Sequence, residues 1–180
     1  NEGVNRLDTR AYKRTGHMPI RSYGKEDGFL GVETSAHAVH ETEDGKLWFG
    51  TVGGATRYDR GRDRINTVQP RPRITDVRLF FDEQDWRRRH ADGRTAWEQL
   101  PTNLTLPHDK NHLIFRFVGL SYTAPEQVTY RYRLEGFDDQ WSPIAKQRRA
   151  TYSNLPPGSY TFTVKAANSD GMWSPDAATY

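Results

Sequence analysis

Gly3-Val4-Asn5-Arg6-Leu7-Asp8 returns as Gly54-Ala55-Thr56-Arg57-Tyr58-Asp59, an offset of 51 residues. Self-similarity at a period of about 40–50 residues marks architectures built from stacked supersecondary units, and a propeller blade is a unit of that size. Between the two copies, Thr42-Glu43-Asp44-Gly45-Lys46 carries the Asp-Gly pair of a tight hairpin. Leu47-Trp48-Phe49-Gly50-Thr51 reads as the strand leaving it, and Gly53-Gly54 turns the chain into the next. Residues 1–66 are therefore expected to form one four-stranded blade and the tail of a preceding one. A lone repeat cannot cover both faces of its own sheet, because repeats bury surface against neighbours. The chain is accordingly expected to be a piece of a longer protein.

Residues 67–73 are expected to be a linker. Gln69-Pro70-Arg71-Pro72-Arg73 holds two prolines, and proline cannot donate to the ladder of a central strand. From residue 74 to 180 the pattern is all-β. Strands are expected at 74–81, 104–106, 112–122, 128–135, 150–155 and 159–168. In the fourth, Val128, Tyr130, Tyr132 and Leu134 alternate with Thr129, Arg131, Arg133 and Glu135, the period of a half-buried strand. Residues 82–100 fit either a short helix or a hairpin at Asp92-Gly93. Short strands with frequent turns indicate a sandwich of immunoglobulin or fibronectin-III type. Tyr130, Tyr132 and Tyr160 are expected to point inward, with Trp141 and Trp173 as further core anchors.

These residues resemble two families in series. Glu43-Asp44-Gly45-Lys46-Leu47-Trp48-Phe49-Gly50-Thr51, with Gly54 and Tyr58-Asp59, resembles the two-component regulator propeller repeat. Tyr130 to Asp138, Trp141, Tyr152-Ser153-Asn154-Leu155-Pro156-Pro157-Gly158-Ser159-Tyr160 and Ala166-Ala167-Asn168 with Trp173 resemble the triple-tyrosine (Y_Y_Y) domain. The signature residues are thus Trp48, Tyr130, Tyr132, Gly136, Trp141, Tyr152, Pro157, Gly158, Tyr160 and Trp173. The resemblance implies the periplasmic sensor region of an inner-membrane receptor, held to the membrane by a helix outside this chain. It implies a glycan-derived or other small ligand at the propeller, a homodimer through the sandwich, and a histidine kinase or diguanylate cyclase as output. The alternatives are a carbohydrate-binding module and a plain spacer.

Composition narrows the chemistry. Without cysteine there is no disulfide, thiolate or Cys-based metal site. A net charge of +3 permits an anionic partner without requiring one. No reading helix or aromatic RNA-binding strand accompanies the basic runs, so no nucleic-acid partner is expected. No nucleophile elbow, P-loop or dinucleotide fingerprint is present, so neither catalysis nor a cofactor is expected. His108/His112 and His37/His40 lack helical ligand geometry, and no metal is expected. Arg87, Arg88 and Arg89 could grip an anion bidentately, although nearby acids make a solvated loop the stronger reading. Trp48 is read first as blade packing and second as a platform for a sugar ring.

Overall fold

The computed structural model describes residues 3–18, 20–31, 33–80, 86, 100–102 and 104–180. The chain divides into two units, Asn1–Ile65 and Asn66–Tyr180.

In the first unit, β1 (Val4–Leu7) pairs antiparallel with β2 (Ile20–Tyr23). A separate antiparallel sheet has the order β3 (Thr34–Glu41), β4 (Leu47–Thr51), β5 (Gly54–Tyr58). Where a four-stranded blade and the tail of a preceding one were expected, the described residues form a three-stranded sheet and a two-stranded one. Helix α1 (Thr9–Thr15), which the sequence pattern did not announce, joins β1 to β2. Asp8 caps it by accepting from the backbone N–H groups of Arg10 (3.0 Å) and Ala11 (2.9 Å). Its repeat equivalent, Asp59, accepts from Gly61 N–H at 2.9 Å and closes a tight turn instead. The repeats therefore share a strand ending in a capping aspartate and diverge after it. The 42–46 hairpin forms as the Asp-Gly pair indicates, with Gly45 at φ 75°. Among the described residues of this unit, only Phe29 is buried.

The second unit is a β-sandwich. One sheet has the order β6 (Arg71–Leu79), β7 (Leu113–Leu120), β9 (Arg149–Tyr152). The other has the order β11 (Ala178–Thr179), β10 (Thr161–Ala167), β8 (Thr129–Glu135). Two expectations change here. Residues 71–73 are not linker: Arg71, Pro72 and Arg73 open β6, opposite Leu120, Gly119 and Val118. Proline fits because β6 is an edge strand, and Pro70 before it is fully buried. Leu104 and Leu106 form no strand but pack their side chains against the core.

That core lies between the sheets. Phe115, Phe117, Tyr130, Leu134, Phe162 and Val164 are each at most 3% exposed. The rings of Phe115 and Phe162 stack at 4.2 Å across the two sheets. Burying one such side chain is worth roughly 1.5–3 kcal/mol. Gly119 permits the close approach: a Cβ there would lie 2.8 Å from Ala166 Cβ and 2.9 Å from Val128 Cγ1. Trp86 caps the core's edge, donating from its indole N–H to Val77 O at 2.9 Å.

Candidate functional site

The inward alternation of β8 brings the signature tyrosines to three different tasks. Tyr130 is in the core, and its hydroxyl accepts from Gly119 N–H at 3.0 Å. Tyr132 is half-buried against Phe117 and Phe162. Tyr160 precedes β10 and donates back to Pro156 O at 2.6 Å, closing the Pro156-Pro157-Gly158 turn as a tyrosine corner does. A Cβ at Gly158 would press on its hydroxyl at 3.0 Å, and one at Gly136 would lie 2.8 Å from Ser159 O and 3.2 Å from its ring. Gly136 also needs its freedom of backbone, at φ 92°.

Gly136 opens a turn organised by Asp138. That carboxylate accepts from Leu134 N–H at 2.7 Å and from the Tyr152 hydroxyl at 2.5 Å. Burial, followed by this bond to a carboxylate, pushes the Tyr152 phenol well above its ordinary range. Burial and the charge of Asp138 raise Tyr132 in the same direction.

Trp141 and Trp173, expected in the core, are half-buried on the opposite face of β8. Because Tyr130, Tyr132 and Leu134 point inward, Arg131 and Arg133 point outward, and the indoles stack on their guanidinium groups. Arg131 lies 4.7 Å from the Trp173 ring and 5.0 Å from Trp141, and Arg133 lies 5.0 Å from Trp141. The result is a ladder of alternating rings and cations. Each tryptophan begins a Trp-Ser-Pro tripeptide. Ser142 N–H donates to Tyr132 O, and its hydroxyl accepts from Tyr132 N–H at 3.0 Å; Ser174 does the same with Ala166, its hydroxyl accepting at 3.3 Å. The first segment covers the outer edge of β8, and the second covers the stretch of β10 that the two-residue β11 leaves unpaired, where bare ladder groups would otherwise invite another strand.

Asn168 is 2% exposed and does what its position in the sequence does not disclose. Its Oδ1 accepts from Asp170 N–H (3.0 Å) and Met172 N–H (2.9 Å), shaping the 168–172 turn. Its Nδ2 donates to Asn66 O (2.6 Å) and Val68 O (2.9 Å). Asp170 adds a bond from Asn66 N–H at 2.8 Å. The chain is thereby clamped where it enters the sandwich. The twice-used Trp-Ser-Pro tripeptide was a visible signal for the ladder; Asn168 stood among the residues that carry the family resemblance, but its contacts were not legible from that.

In the first unit, Asp63 gathers side chains from three strands. It accepts from the hydroxyls of Tyr23 (2.6 Å) and Tyr58 (2.8 Å), pairs with Arg21 at 3.1 Å, and bonds Arg6. Burial pushes this carboxyl up, but the two phenolic bonds and the two guanidinium charges outweigh it and hold it below the ordinary range. Trp48 lies on β4 with 38% exposure, between His40 and Arg57 in the register, and Arg57 stands 6.0 Å over its ring. Arg87, Arg88 and Arg89 lie outside the described residues, as does most of 82–100. Among the described residues, no three His, Asp or Glu side chains gather closely enough to hold a metal.

Within this sandwich, with its tyrosine corner and its turn-capping aspartate, residues 121–180 match the Y_Y_Y domain family. The whole chain superposes with a TM-score of 0.68 on the extracellular domain of BT3049 from B. thetaiotaomicron, described as a hybrid two component system. The identity is 24%, over 99% of this chain and 23% of that one. Histidine kinase P4 of Formosa agariphila is 23% identical over 157 residues, 86% of this chain and 11% of that protein. The chain thus spans less than a quarter of either relative.

Proposed function

We propose that this chain is the part of a membrane receptor's extracytoplasmic region that passes a ligand signal inward. Asn1–Ile65 contributes the end of a ligand-binding propeller, and the sandwich, paired with that of a second receptor, transmits the change towards a kinase or cyclase. The fragment itself carries no chemistry; its task is to bind and to transmit orientation. The observation that carries the reading is the Y_Y_Y sandwich directly behind a repeat unit that buries almost nothing of its own. The tight core and the Asn168 clamp suit a rigid transmitter, since a signal needs two discrete arrangements of stiff parts. A coupling of about 1–3 kcal/mol is enough to shift output several-fold or more.

Sedimentation velocity on residues 66–180 across a wide concentration range tests this first. The cut falls at 66 because the clamp and Pro70 belong to the sandwich. Self-association at micromolar concentration is the expected result. A strict monomer, combined with unchanged output when charges are reversed on the sandwich faces of a full-length receptor, would overturn the relay.

A further inference from the structure

Alternation along a sandwich strand sends apolar side chains inward and polar ones outward. β8 obeys it, with Thr129, Arg131, Arg133 and Glu135 on its outward face. β7 does not. Phe115, Phe117 and Gly119 face the core, yet three of the four outward positions, Ile114, Val118 and Leu120, are apolar as well. A near-continuous apolar run of this kind belongs to a strand covered on both faces. Leu120 nonetheless stands 50% exposed, and Val118 is half-buried.

The same face is strongly cationic. The fourth outward position of β7 is Arg116, and in register beside this ridge lie Arg71, Arg73 and Arg78 on β6 and Arg149 on β9. Asp76 is the only acid among these register positions, so they carry five positive charges against one negative, while the whole chain carries +3. Arg116 and Arg149 sit directly opposite each other, and like charges in that relation destabilise a sheet. Asp76, on the other side of Arg116, is taken by Arg78 Nε at 2.7 Å. Arg71, Arg116 and Arg149 are exposed, and among the described residues no carboxylate pairs with them and no ring stacks on them. The outward arginines of β8 are treated differently: Arg131 and Arg133 lie against indoles, and Arg133 also pairs with Glu135 at 2.7 Å. A local rule broken without compensation inside the fold marks a surface that serves something outside it.

We propose that the outward face of the β6-β7-β9 sheet docks an acidic protein, one whose carboxylates surround an apolar centre. Guanidinium groups pair carboxylates bidentately. Arginine is enriched and lysine depleted where protein partners meet, and every cation in the register of this face is arginine. The ridge of Val118 and Leu120 is what selects among anions. A nucleic acid or a charged polysaccharide would satisfy the arginines and leave the ridge wet, whereas an acidic protein with an apolar centre covers both. The same face of a second copy is ruled out by its charge, because it would set arginine against arginine. The inference adds a partner to the sensor reading and does not depend on it.

The test uses the whole 180-residue chain at about 0.15 M salt, where charges reach roughly 8 Å. The probes are a peptide in which glutamates flank three leucines, the same peptide with serine for each leucine, dextran sulfate, and phosphatidylglycerol vesicles. The leucine peptide is expected to bind about tenfold or more tighter than the serine peptide, since each covered leucine adds buried apolar area. Arg116→Gln with Arg149→Gln should weaken it about tenfold. Arg10→Gln with Arg60→Gln, which removes equal charge elsewhere, should weaken it less than about twofold. Leu120→Ser should weaken the leucine peptide and leave the serine peptide unchanged. Arg149→Gln alone should raise the melting temperature of the sandwich by about 1–4 °C, because it removes the opposed pair, and so shows that the weaker binder is folded. Equal affinity for the two peptides, equal losses from the two arginine pairs, no binding of either peptide, or a fall in melting temperature would each overturn the inference. So would a loss of dextran sulfate or vesicle binding on changing Arg116 and Arg149 that leaves peptide binding intact, since the face would then serve a polyanion or a lipid. None of these results touches the sedimentation of residues 66–180, so the sensor reading stands or falls separately.

Discussion

The two units are built from the same element, the short antiparallel strand, yet they keep it in opposite ways. The sandwich closes its two sheets over Phe117, Tyr130, Phe162 and Val164. The first unit leaves Val39 at 57%, Ile20 at 55% and Val52 at 84% exposed and, among its described residues, buries Phe29 alone. It relies on polar contacts instead, above all the cluster on Asp63. The difference shows that strand formation and self-sufficiency are separate properties. A hairpin with good turn chemistry forms locally, but only a second layer makes it a domain.

The largest expected effect breaks the comparison outright if it fails. Phe162→Ala should destabilise the sandwich by about 3–5 kcal/mol, the usual loss for an enclosed phenylalanine. Phe29→Ala, whose one ring partner is Phe49 at 5.9 Å among the described residues, should cost less than about half of that. Denaturant unfolding followed by amide exchange separates the two units. Equal losses would mean that the first unit has a core of its own.

Asn168→Ala comes next. It removes the donor to the carbonyls of Asn66 and Val68 and the acceptor for Asp170 and Met172 N–H, four bonds each worth about 0.5–1.5 kcal/mol at most where water can replace the partner. The expected signature is local: amide exchange should speed up in residues 66–72 and 168–172 while β7 stays protected. If protection falls uniformly instead, the clamp is simply part of the core and does not specifically fix the chain's entry.

The side-chain alternation from Val128 to Glu135 discloses β8, its inward face and hence the middle of the sandwich, because a period of two has one solution once a face is buried. The ends of things were harder to read. Thr9–Thr15 has no apolar period, so its helix depends on an aspartate cap that the parallel copy uses for a turn. The Pro70–Pro72 run excludes a central strand but not an edge strand, and that distinction needs the sheet order. Trp141 and Trp173 look like core residues by size alone; what holds them outside is a pair of arginines from another strand. Asn168 acts on residues 100 and 102 positions away, and no local pattern records that.

Removing the ladder tests a smaller quantity. Arg131→Gln should cost about 1–2 kcal/mol, the worth of two partly desolvated cation–π contacts, and should shift tryptophan fluorescence while leaving β8 paired. An unshifted spectrum would mean that the indoles are positioned by their Trp-Ser-Pro segments alone.

The subtlest expectation concerns acid. The folded Asp63 carboxyl titrates below its ordinary range, so its contribution is present in full above the unfolded carboxylate value of about 3.9 and is lost as pH falls through the folded value. Protonation would then weaken the pairing with Arg6 and Arg21 and loosen the phenolic bonds that draw β2 and β5 together. Ring resonances of Tyr23 and Tyr58, followed by NMR from about pH 6 down to pH 2, should report this loosening. Asp63→Asn should abolish the pH dependence and leave the loosened state at neutral pH. Persistence of the same acid transition in that variant would shift the cause elsewhere. Asp44, held at about 2 by Lys46 and Thr42 at the hairpin tip, would be the next carboxylate to examine. A unit with so small an apolar core has little else to fall back on, which is why a single carboxylate can be visible there.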